Sequence, residues 1–208
     1  MPSITIMTIP IPMLYMVWPR QQLAAPPAVE LPVGYTLRHY RDEDADAYCD
    51  LVNIDGWEDA GWRCNEKTLH LLLVRALPAS FFLVEAGDGT LVATALARHR
   101  PDADSYDFPF GGELSLVFVH PEHRRRGLGR AVTAAVTARL IEIGYQNIYL
   151  NVMDERLPAI RLYLELGFVP FLYEDGMSET WQEICCDLGW PATVQQWPRT
   201  LTDEREAL

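Results

Sequence analysis

Glu113-Leu114-Ser115-Leu116-Val117-Phe118-Val119-His120-Pro121-Glu122-His123-Arg124-Arg125-Arg126-Gly127-Leu128-Gly129 is the stretch on which the reading of this chain turns. Its first half is apolar and rich in strand-forming residues. Its second half is a basic turn with two glycines. Apolar positions three or four apart then follow, from Leu128 through Val132, Ala135/Val136 and Leu140 to Ile143, which is a helix with one buried face. The first amides of such a helix lack intrahelical partners, and the helix dipole adds positive potential there. Gly127 and Gly129 allow close approach to the backbone. A strand, a glycine-bearing turn and a helix N-terminus together cradle an anion such as a phosphate or pyrophosphate.

Two common phosphate motifs are excluded. The chain has no G-x-x-x-x-G-K-[ST] loop, and the third residue after Gly129 is Val132, which breaks a G-x-G-x-x-G fingerprint.

Moving outward toward the C-terminus, Gly144 ends the helix and Asn147 to Val152 reads as a strand. Leu157 to Leu166 reads as a helix closed by Gly167, Phe168 to Phe171 as a strand, and Ser178 to Leu188 as a helix ahead of Trp190 and Trp197. Toward the N-terminus lie a polar, aromatic loop from Pro101 to Gly112 and two strands, Phe81 to Glu85 and Leu91 to Arg98. Gly87-Asp88-Gly89 joins those strands as a hairpin. A helix over Asn65 to Leu77 is stopped by Pro78. Another starts at Asp42-Glu43-Asp44, where carboxylates suit the helix dipole, and ends near Gly56. Tyr35 to Tyr40 is a strand, Gln21 to Pro32 a proline-rich linker, and Ile4 to Ile9 an edge strand beside Pro10 and Pro12. This order predicts an α/β mixed sheet with packed helices. It divides the chain into an extended arm and linker (1–33), a compact domain (34–175), and a C-terminal helix with a Trp/Pro-rich tail (176–208).

A chain of 208 residues can bury a core without staples. Its net charge of -12 argues against nucleic acid and anionic membranes, and favours a cationic partner. The basic run around Arg124 is an island in that acidic surface, suited to a small anion. Cys49, Cys64, Cys185 and Cys186 show no C-x-x-C spacing, so they read as reduced thiols and not as a zinc site. The apolar stretch Met1 to Trp18 lacks the positive start of a signal peptide, which with the thiols predicts a cytoplasmic protein.

The central stretch resembles the GNAT superfamily of N-acetyltransferases. The family's [RQ]-x-x-G-x-[GA] loop is matched by Arg124-Arg125-Arg126-Gly127-Leu128-Gly129, and its V-x-P by Val119-His120-Pro121. A second match, A-x-x-x-Y-x-x-x-G-F, falls on Ala159, Tyr163, Gly167 and Phe168. The resemblance implies a mostly antiparallel sheet with a splayed parallel pair at the cofactor site. It also implies acetyl-CoA as co-substrate and no metal. The pantetheine arm would pair with Val117, Phe118 and Val119, and the pyrophosphate would take amides from Arg124, Arg125, Arg126, Gly127, Leu128, Gly129 and Arg130. Tyr163 would be the general acid for the departing thiolate, and Glu113 the general base for the amine. His120 and His123 rank below Glu113 as bases. Where the family commonly has Asn three residues before Ala159, this chain has Arg156, a departure that leaves Arg156 or Asn151 to supply the cofactor contact.

The activity so implied is transfer of an acetyl group to a primary amine by direct attack in a ternary complex, by a monomer or homodimer. Alternatives are another acyl-CoA, an amino-sugar thiol precursor as acceptor, or a non-catalytic acyl-CoA sensor. Trp57, Trp62, Tyr106, Phe108 and Phe110 are candidates for an aromatic wall around the acceptor.

Overall fold

The computed structural model describes residues 13–54 and 63–201. In chain order the elements are β1 (Leu14–Val17), β2 (Tyr35–His39), α1 (Ala45–Asn53), α2 (Glu66–Arg75), β3 (Ala76–Ala86) and β4 (Leu91–His99). They continue with β5 (Gly111–Val119), α3 (Leu128–Glu142), β6 (Asn147–Val152), α4 (Leu157–Leu166), β7 (Val169–Pro170) and α5 (Met177–Leu188). One mixed sheet runs in the order β2-β3-β4-β5-β6-β1-β7, and all its pairings are antiparallel except β5 with β6.

The sheet buries both faces, and the alternation of side chains along its strands decides what packs where. Val84, Ala93, Ala95, Ala97 and Leu114 meet Leu128, Val132, Val136 and Leu140 of α3, together with α4 and α5. On the other face, Leu83, Leu96 and Phe118 meet Tyr48 and Leu51 of α1 and Leu69 and Leu72 of α2. Further along that second face, Tyr15, Val17, Phe108, Tyr149 and Phe171 form an aromatic cluster. The Phe108 ring stacks on Tyr149 at 3.9 Å between centroids.

The expected edge strand at Ile4 to Ile9 lies outside the described residues, as do Trp57 and Trp62. The start of the compact domain differs from the sequence reading. Leu14–Val17 falls within the segment read as arm and linker, yet it is an inner strand between β6 and β7. Its four residues are all buried, Leu14 and Met16 in the main core and Tyr15 and Val17 in the aromatic cluster. A short apolar run with no alternation marks burial on both faces but not which strand it joins. The C-terminal segment is likewise part of the body: Trp181, Ile184, Cys185, Leu188 and Trp197 belong to the main core. No helix of the described residues is long and apolar enough to cross a membrane.

Candidate active site at the parting of two strands

The two parallel strands stay paired over only part of their length. β5 and β6 match Gly111 with Asn147 through Glu113 with Tyr149, and then separate. Beyond that point β5 pairs on its other side with β4, and β6 with β1. A bulge helps to turn β5 away: Thr94 faces Phe118 and Leu96 faces Ser115, so Ala95 opposes both Leu116 and Val117. Leu116 adopts φ +53° there. Bulges bend a strand and re-aim its amides. The parted edge of β5, with Val117, Phe118 and Val119, can pair with an extended amide-bearing chain as a sheet edge pairs with a peptide.

The turn after β5 leads from this opening into α3. Gly127 is the N-cap of α3 in the left-handed region, at φ +83°, and Arg125 is left-handed at φ +59°. The first intrahelical bond runs from Ala131 N–H to the Gly127 carbonyl at 3.0 Å. The amides of Leu128, Gly129 and Arg130 precede it and lie at the positive end of the dipole. The two glycines act differently. A side chain on Gly127 would meet nothing within 4 Å, so its role is the backbone angle, whereas Gly129 lies under Leu162 of α4 and Val119 of β5.

Two of the predicted arginines build the turn. Arg124 Nε donates to the Val119 carbonyl at 3.2 Å. Arg126 donates to the Tyr35 hydroxyl at 2.8 Å and to the Glu122 carbonyl at 3.1 Å. The Tyr35 hydroxyl also lies 3.0 Å from His123 Nδ1, and His120 Nδ1 accepts the Glu122 amide at 3.2 Å. These histidines are therefore parts of the turn. Arg125 and Arg130 are exposed.

Tyr163 is buried on α4, and burial pushes its phenol above the ordinary value of 10.0. Arg156, at the N-cap of that helix, acts on Tyr163 in the opposite sense.

Glu113 stands where the strands part and is 1 % exposed, so it is not the solvated residue that its place after two glycines suggests. Arg98 binds it through two nitrogens, Nε to Oε2 at 2.6 Å and Nη2 to Oε1 at 3.1 Å. Arg100 reaches Oε1 at 3.5 Å and pairs with Asp104 at 2.6 Å. Asn151 Nδ2 donates to Oε1 at 3.2 Å, joining the two arms of the opening. Sequence reading passed over Arg98 and Arg100, because only the register of β4 against β5 brings them to Glu113.

Phe108 does not line an open acceptor wall, since it is fully buried, and half-buried Tyr106 packs on it and on Phe171. Phe110 is exposed, beside a surface hollow of about 560 Å³ with His99, Tyr145 and Asn147. That hollow sits where β5 and β6 begin, at the opposite end of the pair from the glycine turn. Among the described residues no group of three or more His, Cys, Asp or Glu side chains is placed to hold a metal ion.

The family model described as Acetyltransferase (GNAT) family matches residues 40–168. A mycothiol acetyltransferase of Thermobispora bispora is 38% identical over 161 residues, covering 72% of this chain and 52% of that protein. One of Nocardia farcinica is 30% identical over 157 residues, covering 73% and 51%. The chain thus spans about half the length of these relatives. A GCN5-related N-acetyltransferase from Sphaerobacter thermophilus shares the fold with a TM-score of 0.58 and 24% identity, over 76% of this chain and 48% of that one.

Proposed function

Since this chain belongs to the GNAT acetyltransferase family, we propose that it holds acetyl-CoA in the opening between β5 and β6 and passes the acetyl group to a primary amine. The observation that carries this reading is the parting of β5 from β6 just ahead of a helix N-terminus capped by left-handed Gly127. An extended amide-bearing arm fits the first feature and a pyrophosphate the second.

In this reading Val117, Phe118 and Val119 offer backbone to the arm, and an amide near Phe118 or Val119 polarises the thioester carbonyl. The amides of Gly127 to Arg130 meet the pyrophosphate. Arg124 and Arg126 hold the turn in shape, while exposed Arg125 and Arg130 supply charge. The neutral amine attacks the carbonyl carbon, the C–N bond forms, the C–S bond breaks, and the amine's extra proton leaves to solvent. Tyr163 gives its proton to the departing sulfur and is reprotonated from solvent. Burial keeps the phenol protonated at neutral pH, which is the form an acid needs. Arg156 holds the N-cap position of that helix through its backbone carbonyl, and its guanidinium supplies the cofactor contact. Glu113 stands buried at the foot of the opening, where β5 and β6 part.

The mycothiol acetyltransferases among the relatives suggest the acceptor, the amine of a mycothiol precursor. The free state of all four cysteines fits a cytoplasmic setting. Incubation with acetyl-CoA and a panel of amines, including amine-bearing thiols, with chromatographic detection of free CoA, tests the proposal. Amine-dependent release is expected. Binding of acetyl-CoA with no release for any amine would make the chain a sensor instead.

A further inference from the structure

Glu113 is poorly placed to meet an incoming amine. It is 1 % exposed, and both its oxygens already accept hydrogen bonds from Arg98, with Arg100 and Asn151 also at Oε1. Asn151 is different. It is partly exposed, and it lies in the section of β6 beyond Tyr149, where β6 has parted from β5. A carboxylate only accepts hydrogen bonds, so the Asn151 amide must turn its Nδ2 toward Glu113 and its Oδ1 away. That oxygen has no partner among the described residues.

We propose that Arg98 and Glu113 are positioning residues that fix the Asn151 amide, and that Asn151 Oδ1 accepts an N–H of the attacking amine. This rests on the proposed acetyl transfer and deepens it.

The faces of the sheet favour the amine over the cofactor arm as the donor. Glu113 pairs with Tyr149, and Tyr149 and Asn151 alternate with Leu150, so Asn151 shares the face of Tyr149, Val17 and Tyr15. That is the face of α1, α2 and the 101–110 loop, whereas α3, whose N-terminus holds the pyrophosphate in the proposal, packs on the other. Direct attack requires the amine to arrive from the side that the cofactor leaves open. The cluster is also balanced in charge: Arg98 and Arg100 face Glu113 and Asp104, with the hydroxyls of Tyr149 and Tyr15 close by. Among these described groups two arginines meet two carboxylates, which leaves no surplus negative charge to trap an ammonium ion. A neutral amine gives one N–H to Oδ1 and keeps its lone pair for the carbonyl carbon.

The test uses acetyl-CoA and cysteine amide, an amine-bearing thiol, with free CoA separated by chromatography and a blank without enzyme subtracted. Asn151→Ala should raise the KM for the amine about three- to tenfold, the loss of one ordinary hydrogen bond, and leave the KM for acetyl-CoA unchanged. Arg98→Gln should do the same. Arg98→Lys, which keeps the cation, should recover part of the loss, and its thermal unfolding guards against a misfolded Gln variant. Independently of activity, the Asn151 side-chain amide resonances of the ¹⁵N-labelled protein should shift in Arg98→Gln and move back toward wild type in Arg98→Lys. A rise in the KM for acetyl-CoA with the amine KM unchanged would give Oδ1 to the cofactor arm and overturn the proposal. So would Glu113→Gln lowering kcat about a hundredfold with the amine KM unchanged and the acidic limb of the pH profile flattened, since Glu113 would then be the base itself. A wild type that releases no CoA would overturn the amine contact, and the resonances would still decide the positioning. Resonances unmoved in both Arg98 variants would overturn the positioning while leaving acetyl transfer standing.

Discussion

A side chain on Gly129 would place its Cβ 3.0 Å from Leu162 Cδ1, so the first turn of α3 and the middle of α4 meet where Gly129 has no side chain. The residue after Leu162 is Tyr163, and one contact therefore ties the proposed anion cradle to the proposed acid. Gly129→Val should cost about 1–3 kcal/mol by overpacking. Gly127→Val, which meets no clash, should cost about 1–3 kcal/mol through its left-handed backbone. Thermal unfolding with and without millimolar acetyl-CoA checks both. The wild type should rise in midpoint with ligand and both variants should lose that response. A wild type that does not respond removes the cofactor from this turn.

Tyr163→Phe deletes one hydroxyl inside a buried helix face. Turnover should fall about ten- to a thousandfold with acetyl-CoA affinity retained. Because burial raises the phenol above 10.0, the wild-type rate should show no basic limb from Tyr163 below about pH 10. Equal turnover in the two proteins would leave Tyr163 as a core residue only.

Arg38 clamps Asp44, Nη1 to Oδ2 at 2.6 Å and Nη2 to Oδ1 at 2.7 Å, and reaches Glu85 at 2.6 Å. Asp44 Oδ2 also accepts the Arg41 amide at 2.8 Å, at the turn that opens α1. Hydrogen bonding from Arg38 holds the Asp44 carboxyl below its ordinary value. A lowered folded-state value means that the stabilisation is complete above the unfolded value of about 3.9 and is lost as pH falls through the folded one. Asp44→Asn should therefore lose about 1–3 kcal/mol at pH 7. Denaturant unfolding at a series of pH values should show that deficit shrinking as the buffer becomes acid. A deficit constant with pH would mean that the charge of Asp44 contributes nothing.

Phe108→Ala discriminates between core and acceptor wall. With the ring stacked on Tyr149 and fully buried, the substitution should cost about 3–5 kcal/mol in denaturant unfolding. A rise in the KM for the amine without loss of stability would restore Phe108 to the acceptor site.

Most of the helices and strands were legible because their periodicity and stop signals are local. Asn147 to Val152 and Leu157 to Leu166 fall on the observed β6 and α4, bounded by Gly144 and Gly167. The strand, glycine turn and helix N-terminus proposed as the anion cradle were legible for the same reason, since they are consecutive in the chain. What was not legible depends on pairing between distant segments. Leu14–Val17 gains its place from β6, which lies more than a hundred residues later. The surroundings of Glu113 depend on β4 placing Arg98 directly across from it and on β6 bringing Asn151 to the same oxygen. Neither neighbour leaves a mark in the sequence around Glu113. Phe108 read as a loop aromatic because the ring beneath it, Tyr149, comes from another strand.

Amine-dependent release of free CoA decides whether an acetyl group passes from acetyl-CoA to an amine at the parting of β5 and β6. With acetyl-CoA saturating and cysteine amide varied, the account predicts release that saturates with the amine, an N-acetylated product in equal amount, and a large loss of rate in Tyr163→Phe. Release no faster than the enzyme-free blank across the whole amine panel, from a protein whose thermal midpoint still rises with acetyl-CoA, would contradict it.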